Sequence, residues 1–385
     1  MSVTAAKGFQ AAGIAAGIKE NGNPDLALVV NTGPRRAAAG VFTSNRVKAA
    51  PVQWSEQVLK TGRLSAVVLN SGGANACTGP KGFQDTHATA EKAAEVLGTG
   101  AVEVAVCSTG LIGVLLPMDK LLPGIETAAA QLSEHGGEKA AIAIKTTDTV
   151  HKTSVVTKDG WTVGGMAKGA GMLAPGLATM LVVLTTDADL EAEALDRALR
   201  AATRVTFDRV DSDGCMSTND TVLLLASGAA EVTPDFEEFA DAVRAVCDDL
   251  GQQLIRDAEG ASKDIKVEVV GRRDRGRTPW RWAVPSPANN LLKCAIPRRG
   301  PQLGPRPVRD RHHEGRLSSP TGSTSPSTAC GCARTAASAR TGRRSTCATA
   351  RCTSSPTSPP GPRPPPSGPT TSPPTTSTRT APTPH

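Results

Sequence analysis

A threonine at the end of a Gly/Pro-rich loop has the surroundings that best fit covalent chemistry in this chain. Thr179 follows Ala178 in the stretch Lys168-Gly-Ala-Gly-Met-Leu-Ala-Pro-Gly-Leu-Ala-Thr-Met-Leu181 and precedes an apolar β-type run that reaches Thr186. A threonine hydroxyl is a poor nucleophile unless a base lies beside it, and the nearest base is its own α-amino group. That amine is free only if the chain is cut just before Thr179. Its pKa of about 8 then lets it accept a proton near neutral pH.

The spacing of this stretch leaves two interpretations open. In one, the chain is a precursor that cleaves itself between Ala178 and Thr179 and exposes an N-terminal threonine nucleophile. In the other, residues 169–176 form an ordinary loop and Thr179 is the first residue of a strand, where threonine is common. Spacing alone favours the second interpretation.

Other patterns could place polar groups beside such a nucleophile. The turn Cys107-Ser-Thr-Gly110 follows an apolar run and could expose backbone N–H groups, although the same residues are typical of an ordinary turn. Glu259 is predicted to end a long helix, where the helix dipole disfavours a carboxylate. The segment 70–79 is dense in small residues. This density predicts that its backbone closely approaches another part of the chain.

Apolar, β-branched runs alternate with helical segments, which predicts an α/β or α+β layered fold. Strands are expected at Leu26–Val30, Ala66–Leu69, Val102–Val106, Ser154–Val156, Met180–Thr185, Thr221–Leu225 and residues 265–270. Helices are expected near Thr86–Leu97, from Pro117 to about Leu132, at Leu190–Thr203, and from an N-cap at Thr233 with Pro234 first, along an apolar stripe to Leu254. No GxGxxG or P-loop motif supports a nucleotide-binding fold.

Charge is unevenly divided along the chain. Residues 271–385 carry 18 Arg and one Lys against three acidic residues, whereas residues 1–270 hold 24 Lys and Arg against 33 acidic residues. The net charge of +7 therefore comes from the tail, where no aromatic stacking pattern interleaves the arginines, so a nucleic-acid partner is not expected. No apolar run approaches the ~20 residues of a membrane span. Singly scattered cysteines suit reduced thiols, so we expect a cytoplasmic protein without a metal site.

The stretch 168–181 resembles the cleavage-site signature of the ArgJ family, the ornithine acetyltransferases (glutamate N-acetyltransferases) of arginine biosynthesis. Companion segments follow in the family's order across most of residues 8–270: Gly8-Phe9, Ala15–Lys19, Gly40–Asn45, Asn70–Gly79, Cys107–Gly113, Thr146–Thr149, Asp213-Gly214, Ser217–Thr221 and Glu259–Ser262. The resemblance implies an N-terminal-nucleophile-like ornithine acetyltransferase fold. It also implies an α chain of residues 1–178 and a β chain of residues 179–385, assembled as α2β2.

The resemblance further implies ping-pong acetyl transfer without a metal or organic cofactor. Thr179 takes the acetyl group from N-acetylornithine, releases ornithine, and passes the group to glutamate to give N-acetylglutamate. Thr109, through its hydroxyl, and Gly110, through its backbone N–H, hold the oxyanion. Acetyl-CoA as a further acetyl donor stays open, and its use would add amino-acid N-acetyltransferase activity. The implied substrate contacts are Lys168, Thr179, Glu259 and one of Thr146 and Thr147.

Two other functions stay open at the level of sequence. One is a self-processing N-terminal-nucleophile aminopeptidase or amidase, in which water hydrolyses the acyl-enzyme. The other is an inactive relic, which the unusual tail favours. Residues 297–385 hold 18 of the 29 prolines and have almost no apolar periodicity, so the tail from about 297 is predicted to be disordered or frameshifted.

A frameshift explains the tail better than composition alone. The segment Asn289–Ile296 resembles the family, but Pro297–Gly304 stands where Phe-Gly-Glu-Asp-Pro-Asn-Trp-Gly is expected next. GC-rich codons for that peptide, read one frame over, encode the string found here. We therefore predict that residues 179–270 are family-like and folded, and that most of 272–385 is read out of frame.

Overall fold

The computed structural model describes residues 2–173, 180–261, 263–270 and 349–356, the last two ranges by their backbone alone. In chain order the strands are β1 (Phe9–Ile14), β2 (Leu26–Asn31), β3 (Ala37–Phe42), β4 (Ala66–Asn70), β5 (Val104–Ser108), β6 (Lys152–Lys158), β7 (Trp161–Lys168), β8 (Leu181–Thr186), β9 (Thr221–Ala226), β10 (Lys263–Val270) and β11 (Thr349–Pro356). The helices are α1 (Ala50–Val58), α2 (Gly79–Leu97), α3 (Met118–Ala130), α4 (Gly137–Ala143), α5 (Ala192–Thr203) and α6 (Phe236–Arg256). The predicted mixed α/β architecture is thus confirmed.

The first sheet has the strand order β1-β2-β4-β5. Its pairs β1–β2 and β2–β4 are antiparallel, whereas β4 and β5 are parallel and are connected through α2. A parallel pair needs such a crossover because the chain must return to the same edge before the second strand begins. As a result, the carboxyl ends of β4 and β5 lie side by side, at Asn70 and Ser108.

The second sheet has the strand order β3-β9-β8-β7-β6 and is covered on both faces. Successive side chains of a strand point to opposite faces. In β8, Leu181 and Val183 join a core shared with the first sheet, whereas Val182 and Leu184 join a second core formed with α5 and α6. This sheet therefore lies between the first sheet and the α5–α6 pair.

The described strands include four that the sequence did not predict, namely β1, β3, β7 and, within the tail, β11. β1 and β3 read Phe-Gln-Ala-Ala-Gly-Ile and Ala-Ala-Ala-Gly-Val-Phe, and alanine and glycine have low strand propensity. Every residue of β7 is buried, so the polar/apolar alternation of a half-exposed strand is missing. Tertiary pairing decides the conformation of these segments. The short helices α1 and α4 were also missed.

The predicted start of the long helix α6 is wrong. Thr233 and Pro234 precede the helix, and Asp235 is its N-cap, with Oδ1 accepting the backbone N–H groups of Glu237 at 2.9 Å and Glu238 at 3.3 Å. A carboxylate caps a helix well because it also complements the helix dipole. The predicted apolar stripe is confirmed, since its members from Phe239 to Leu254 are buried.

Several other boundaries differ from prediction by a few residues. Helix α2 begins at Gly79 rather than near Thr86, and β5 begins at Val104 after a short 3-10 turn. The strand expected at residues 265–270 is present as β10 and pairs antiparallel with β11, which lies within the tail. In the part of the chain described here, no helix is both long and apolar enough to cross a bilayer.

Candidate active site

A buried contact joins the two sheets. Lys168 is the last residue of β7, and Thr109 follows the end of β5 in the other sheet. The Lys168 Nζ donates a hydrogen bond to the Thr109 Oγ1 at 3.2 Å, and the two residues are only 2% and 5% exposed. Two residues that are distant in sequence and were singled out for different roles therefore meet at one point.

The turn after β5 is held by the segment that follows β4. The backbone N–H of Thr109 donates to the Asn70 carbonyl at 2.9 Å, and the Ser108 hydroxyl donates to Asn70 Oδ1 at 2.5 Å. Gly110 has φ +132°, and a Cβ at this position would lie 2.8 Å from the Gly73 nitrogen. Only glycine fits there. The predicted close approach of the small-residue segment 70–79 is thus confirmed, and its partner is this turn.

Burial changes the pKa of the Lys168 ammonium. Burial lowers the pKa of Lys168 to about 8, against the attraction of the Asp148 carboxylate, which raises it. A buried cation with a pKa near neutral pH is typical of functional sites, although structural networks produce it too. Near neutral pH the ammonium is mostly protonated and can donate to an anion or to a hydroxyl.

A second buried lysine lies next to the first. Lys152, at the start of β6, is fully buried, and its Nζ lies 2.6 Å from Asp148 Oδ1 and 2.6 Å from Asp257 Oδ2. Asp148 Oδ1 also accepts the backbone N–H of Gly169, at 2.7 Å. Burial would raise the pKa of Asp148, but Lys168 and Lys152 together lower it to about 2. This cluster ties the chain just after Lys168 to the end of α6.

Sequence reasoning missed this cluster. Asp148 lies inside the noted segment Thr146–Thr149, but no role was given to its carboxylate. Lys152 and Asp257 stand alone in sequence, more than a hundred residues apart, and most lysines are exposed. The pairing of β6 with β7 places Lys152 beside Gly169, and the packing of α6 against β6 brings Asp257 to the same point.

Ala178 and Thr179, the predicted cleavage site and nucleophile, lie outside the described residues. The chain is described again from Met180, whose backbone N–H donates to Asp220 Oδ1 at 3.1 Å and whose carbonyl accepts the N–H of Thr221 at 3.1 Å. Leu181 then pairs with Lys168 across the β7–β8 ladder. The residue that follows the predicted nucleophile therefore lies one strand away from the buried lysine.

Glu259 lies beside the segment that follows Lys168. Its backbone N–H donates to the Ala170 carbonyl at 2.7 Å, and a Cβ on Gly171 would lie 3.1 Å from the Glu259 Oε1. The carboxylate is exposed. The expectation that Glu259 ends the long helix is wrong, because α6 ends at Arg256 and Glu259 lies in the turn beyond it.

The two alternative threonines occupy one loop but have different surroundings. Thr146 donates to Asp148 Oδ2 from its backbone N–H at 3.0 Å and from its hydroxyl at 3.4 Å. Thr147 is exposed. Through Asp148, which binds Gly169, this loop is tied to the same segment as Glu259. Across the described ranges, no group of three or more His, Cys, Asp or Glu side chains could hold a metal ion.

Taken together, the fold and this site define a layered α/β protein in which a buried lysine, a hydroxyl and a glycine turn converge where two sheets meet. Comparison with known proteins identifies the family. The model of the ArgJ family matches residues 10–305. The arginine biosynthesis bifunctional protein ArgJ of Streptomyces coelicolor is 83% identical over 310 residues, which cover 79% of each chain. ArgJ 1 of Streptomyces clavuligerus is 69% identical with the same coverage.

The chain belongs to the ArgJ family, as its sequence motifs indicated. Among solved structures, the ornithine acetyltransferase of Mycobacterium tuberculosis, crystallised with ornithine, is 62% identical. That match covers 47% of this chain and 96% of the other, with a TM-score of 0.45.

Proposed function

We propose that Thr179 is the nucleophile of an acetyl transfer carried out at the meeting point of the two sheets. As a member of the ArgJ family, the protein is an acetyltransferase of arginine biosynthesis. The observation that carries the residue assignment is the buried Lys168–Thr109 contact, because it lies next to the strand that begins two residues after Thr179.

The first proposed step is self-cleavage. The Thr179 hydroxyl oxygen bonds to the Ala178 carbonyl carbon, the C–N bond breaks, and the proton of the hydroxyl passes to the departing nitrogen, which becomes the α-amine. Water then hydrolyses the ester, which gives Ala178 a carboxylate and restores the hydroxyl. The new α-amine, with a pKa of about 8, can deprotonate the hydroxyl on its own residue.

The second proposed step is transfer of the acetyl group in two halves. Thr179 attacks the acetyl carbonyl of N-acetylornithine, and the C–N bond breaks as the amine of ornithine takes a proton and leaves. The amine of glutamate then attacks the acetyl ester and restores the Thr179 hydroxyl. Thr109 and Gly110 hold the oxyanion in both halves, and one such donor contributes about 3–4 kcal/mol to the transition state.

The charged groups of the site fit amino-acid substrates. The Lys168 ammonium suits a substrate carboxylate, since lysine is a compact cation with three donors. The exposed Glu259 carboxylate lies within reach of the segment after Lys168 and suits a cationic amino group. Thr147 or Thr146 supplies the remaining substrate contact. We propose that no metal or organic cofactor takes part, with acetyl-CoA as the one further acetyl donor to test.

The proposed chain organisation is an α chain, 1–178, and a β chain, 179–385, joined as α2β2 in the cytoplasm. The described cysteines are free thiols, and Cys107 and Cys247 are buried, which suits a reducing compartment. The ArgJ family match ends at residue 305, whereas the chain continues to residue 385. This difference supports the proposed frameshift for the residues beyond 305, and resequencing the gene tests it, since an uninterrupted frame that encodes this tail would contradict it.

Purified Thr179→Ala tests the nucleophile directly. We expect this variant to run as one uncut band on a denaturing gel, whereas the parent gives two products and a new amino terminus at residue 179 by intact-mass analysis. Thr186→Ala, at the other end of β8, is the control and should be cut normally. Cleavage that persists in Thr179→Ala would refute the assignment.

A second measurement separates the transferase from a hydrolase. Without glutamate, a ping-pong transferase stops after one N-acetylornithine per active site, because the acetyl group stays on Thr179; continuous consumption requires glutamate to accept it. Consumption at the same rate without glutamate would instead indicate an amidase that passes the acyl group to water. The single uncut band of an inactive relic would be seen even in the parent protein.

A further inference from the structure

Two consecutive residues at the start of β9 contact both halves of the site. Asp220 Oδ1 accepts the backbone N–H of Met180 at 3.1 Å, while the carbonyl of Asp220 accepts the N–H of Thr43 at 2.9 Å. Asp220 is fully buried, and the Ser217 and Thr43 side chains also lie against its carboxyl group. Burying a carboxyl group is costly unless it is hydrogen-bonded, so these contacts hold Asp220 in place.

Asn219 reaches the other side. Its Nδ2 donates to the carbonyl of Ser108 at 2.8 Å and to the carbonyl of Ala74 at 2.6 Å. Ser108 directly precedes Thr109, and Ala74 directly follows Gly73, which the glycine of the turn approaches closely. Asn219 is 5% exposed, so these two bonds are made in a buried setting.

The strand register places Asn219 and Asp220 at the same end of the sheet as the buried Lys168. Lys168 pairs with Leu181 across β7–β8, and Leu181 pairs with Thr221 across β8–β9. Neighbouring strands lie about 4.8 Å apart. Residues 219–220 therefore stand at the edge of the sheet where Lys168, Met180 and the turn after β5 meet.

We propose that Asn219 and Asp220 are positioning residues that together fix the spacing between the start of β8 and the turn of Thr109 and Gly110. The proposal rests on the function proposed above, in which the nucleophile precedes Met180 and this turn holds the oxyanion. Asp220 fixes the first backbone group after the nucleophile, and Asn219 fixes the last carbonyl before the oxyanion donors. Acyl transfer is sensitive to displacements of about 1 Å in such an arrangement.

The Asp220 side chain contributes through the hydrogen bond that its Oδ1 accepts from the Met180 N–H. Burial raises the pKa of Asp220 well above its ordinary value. Hydrogen bonds from Met180, Ser217 and Thr43 and the charge of Lys168 oppose this only in part. A carboxyl group and an amide have nearly the same shape, and each offers an acceptor oxygen. Asparagine should therefore replace this aspartate, whereas alanine should not.

The test compares cleavage rates of freshly synthesised precursor. Asp220→Ala should be cut about tenfold more slowly than the parent, since a single lost hydrogen bond of this kind changes a rate by about that factor. Asp220→Asn should stay within about threefold of the parent. Equal rates for Asp220→Ala and the parent, or equally slow Ala and Asn variants, would overturn the proposal.

Asp187 provides a matched control at the opposite end of β8. It is 2% exposed, and its carboxylate accepts the backbone N–H of Thr162 at 2.7 Å and that of Lys7 at 3.0 Å. Asp187→Ala should lower the melting temperature but leave the cleavage rate of the folded protein unchanged. If Asp187→Ala is cleaved as slowly as Asp220→Ala, the effect of Asp220 is one of general fold stability, and the proposed positioning role is contradicted.

Asn219→Ala gives an independent readout, including the case in which Asp220→Ala does not fold. In cleaved enzyme we expect kcat to fall about tenfold while KM for glutamate stays unchanged, because a displaced oxyanion turn affects mainly the transition state. A change in KM alone would contradict the proposal. If Thr179→Ala is uncut while Asp220→Ala is cut normally, this inference fails and the proposed function stands.

Discussion

The start of β6 and the end of β7 each bury a lysine, but they satisfy it differently. Lys152 lies between two carboxylates, each 2.6 Å from its Nζ. Lys168 donates instead to a neutral hydroxyl, that of Thr109, at 3.2 Å, and burial lowers its pKa to about 8. The two lysines share one nearby anion, Asp148.

The difference indicates that the buried Lys152 serves structure, whereas the buried Lys168 keeps hydrogen-bond donors available for a ligand. A buried cation between two anions has its charge compensated and joins three segments: the loop of Asp148, strand β6 and the end of α6 at Asp257. The cation of Lys168 keeps donors that an incoming carboxylate can use. Substitutions at the two positions should therefore separate stability from activity.

The largest expected effect is on stability, from Lys152→Ala. This change leaves Asp148 and Asp257 buried without their cation, and breaking such a pair costs roughly 3–5 kcal/mol. Urea denaturation measures the loss as a lower midpoint. Lys158→Ala, on the same strand, is the control, because Lys158 pairs with Glu238 at 3.8 Å on the surface and should contribute less than about 0.5 kcal/mol. Equal losses of stability in the two variants would show that the buried Lys152 contributes no more than the surface Lys158.

Lys168→Met should act mainly on catalysis. A hydrogen bond to a charged group contributes about 1.5–3 kcal/mol, which corresponds to a roughly 10- to 150-fold loss of kcat/KM for glutamate. The loss of stability should be smaller than in Lys152→Ala, since methionine fills similar space without a charge to desolvate. Steady-state kinetics and urea denaturation on the same preparation decide this. A Lys168→Met variant that is destabilised but fully active would show that Lys168 serves stability rather than catalysis.

The titration of Lys168 should contribute to the pH dependence of the free energy of unfolding. Its folded-state pKa of about 8 lies below the ordinary 10.5, so between these values the unfolded chain binds more protons than the folded one. The free energy of unfolding contributed by this group therefore rises as pH increases through this window. Urea midpoints from pH 7 to 10 should show the rise in the parent and lose it in Lys168→Met. An identical profile in both would contradict the lowered pKa.

The smallest expected effect distinguishes the two threonines of the loop. Thr147 is exposed, whereas the Thr146 hydroxyl bonds to Asp148. We expect Thr147→Ala to raise KM about two- to tenfold, as one lost hydrogen bond to substrate would, and Thr146→Ala to change KM less. Substrate titration of the two variants tests this, and the opposite ranking would assign the contact to Thr146.

The sequence predicted those strands whose own residues favour a strand. β2, β4, β8 and β9 are rich in valine and leucine and lie close to their expected bounds. β1 and β3 were missed because alanine and glycine have low strand propensity, and β7 was missed because its fully buried residues show no polar/apolar alternation. Only pairing with neighbouring strands fixes their conformation. The cap at Asp235 was missed because Thr233 with Pro234 forms an equally good local pattern.

The site was predictable where resemblance named a residue and not where tertiary contact creates the role. Lys168, Thr109 and Gly110 were named from motifs and lie together. The carboxylates of Asp148 and Asp220 were not given roles, because their contacts with Gly169 and Met180 depend on strand register. Such backbone contacts leave no pattern in sequence.

The order of strands in the second sheet has a consequence for how the two products would stay together. β3, β6 and β7 precede the proposed cut, whereas β8 and β9 follow it, so β3-β9-β8-β7-β6 interleaves both products in one ladder. Neither fragment could complete this sheet by itself, and separating them would mean tearing hydrogen bonds along both β3–β9 and β7–β8. The uncleaved precursor would therefore have to fold before the proposed cleavage. The two products would then stay associated through the shared sheet, without a covalent bond between them.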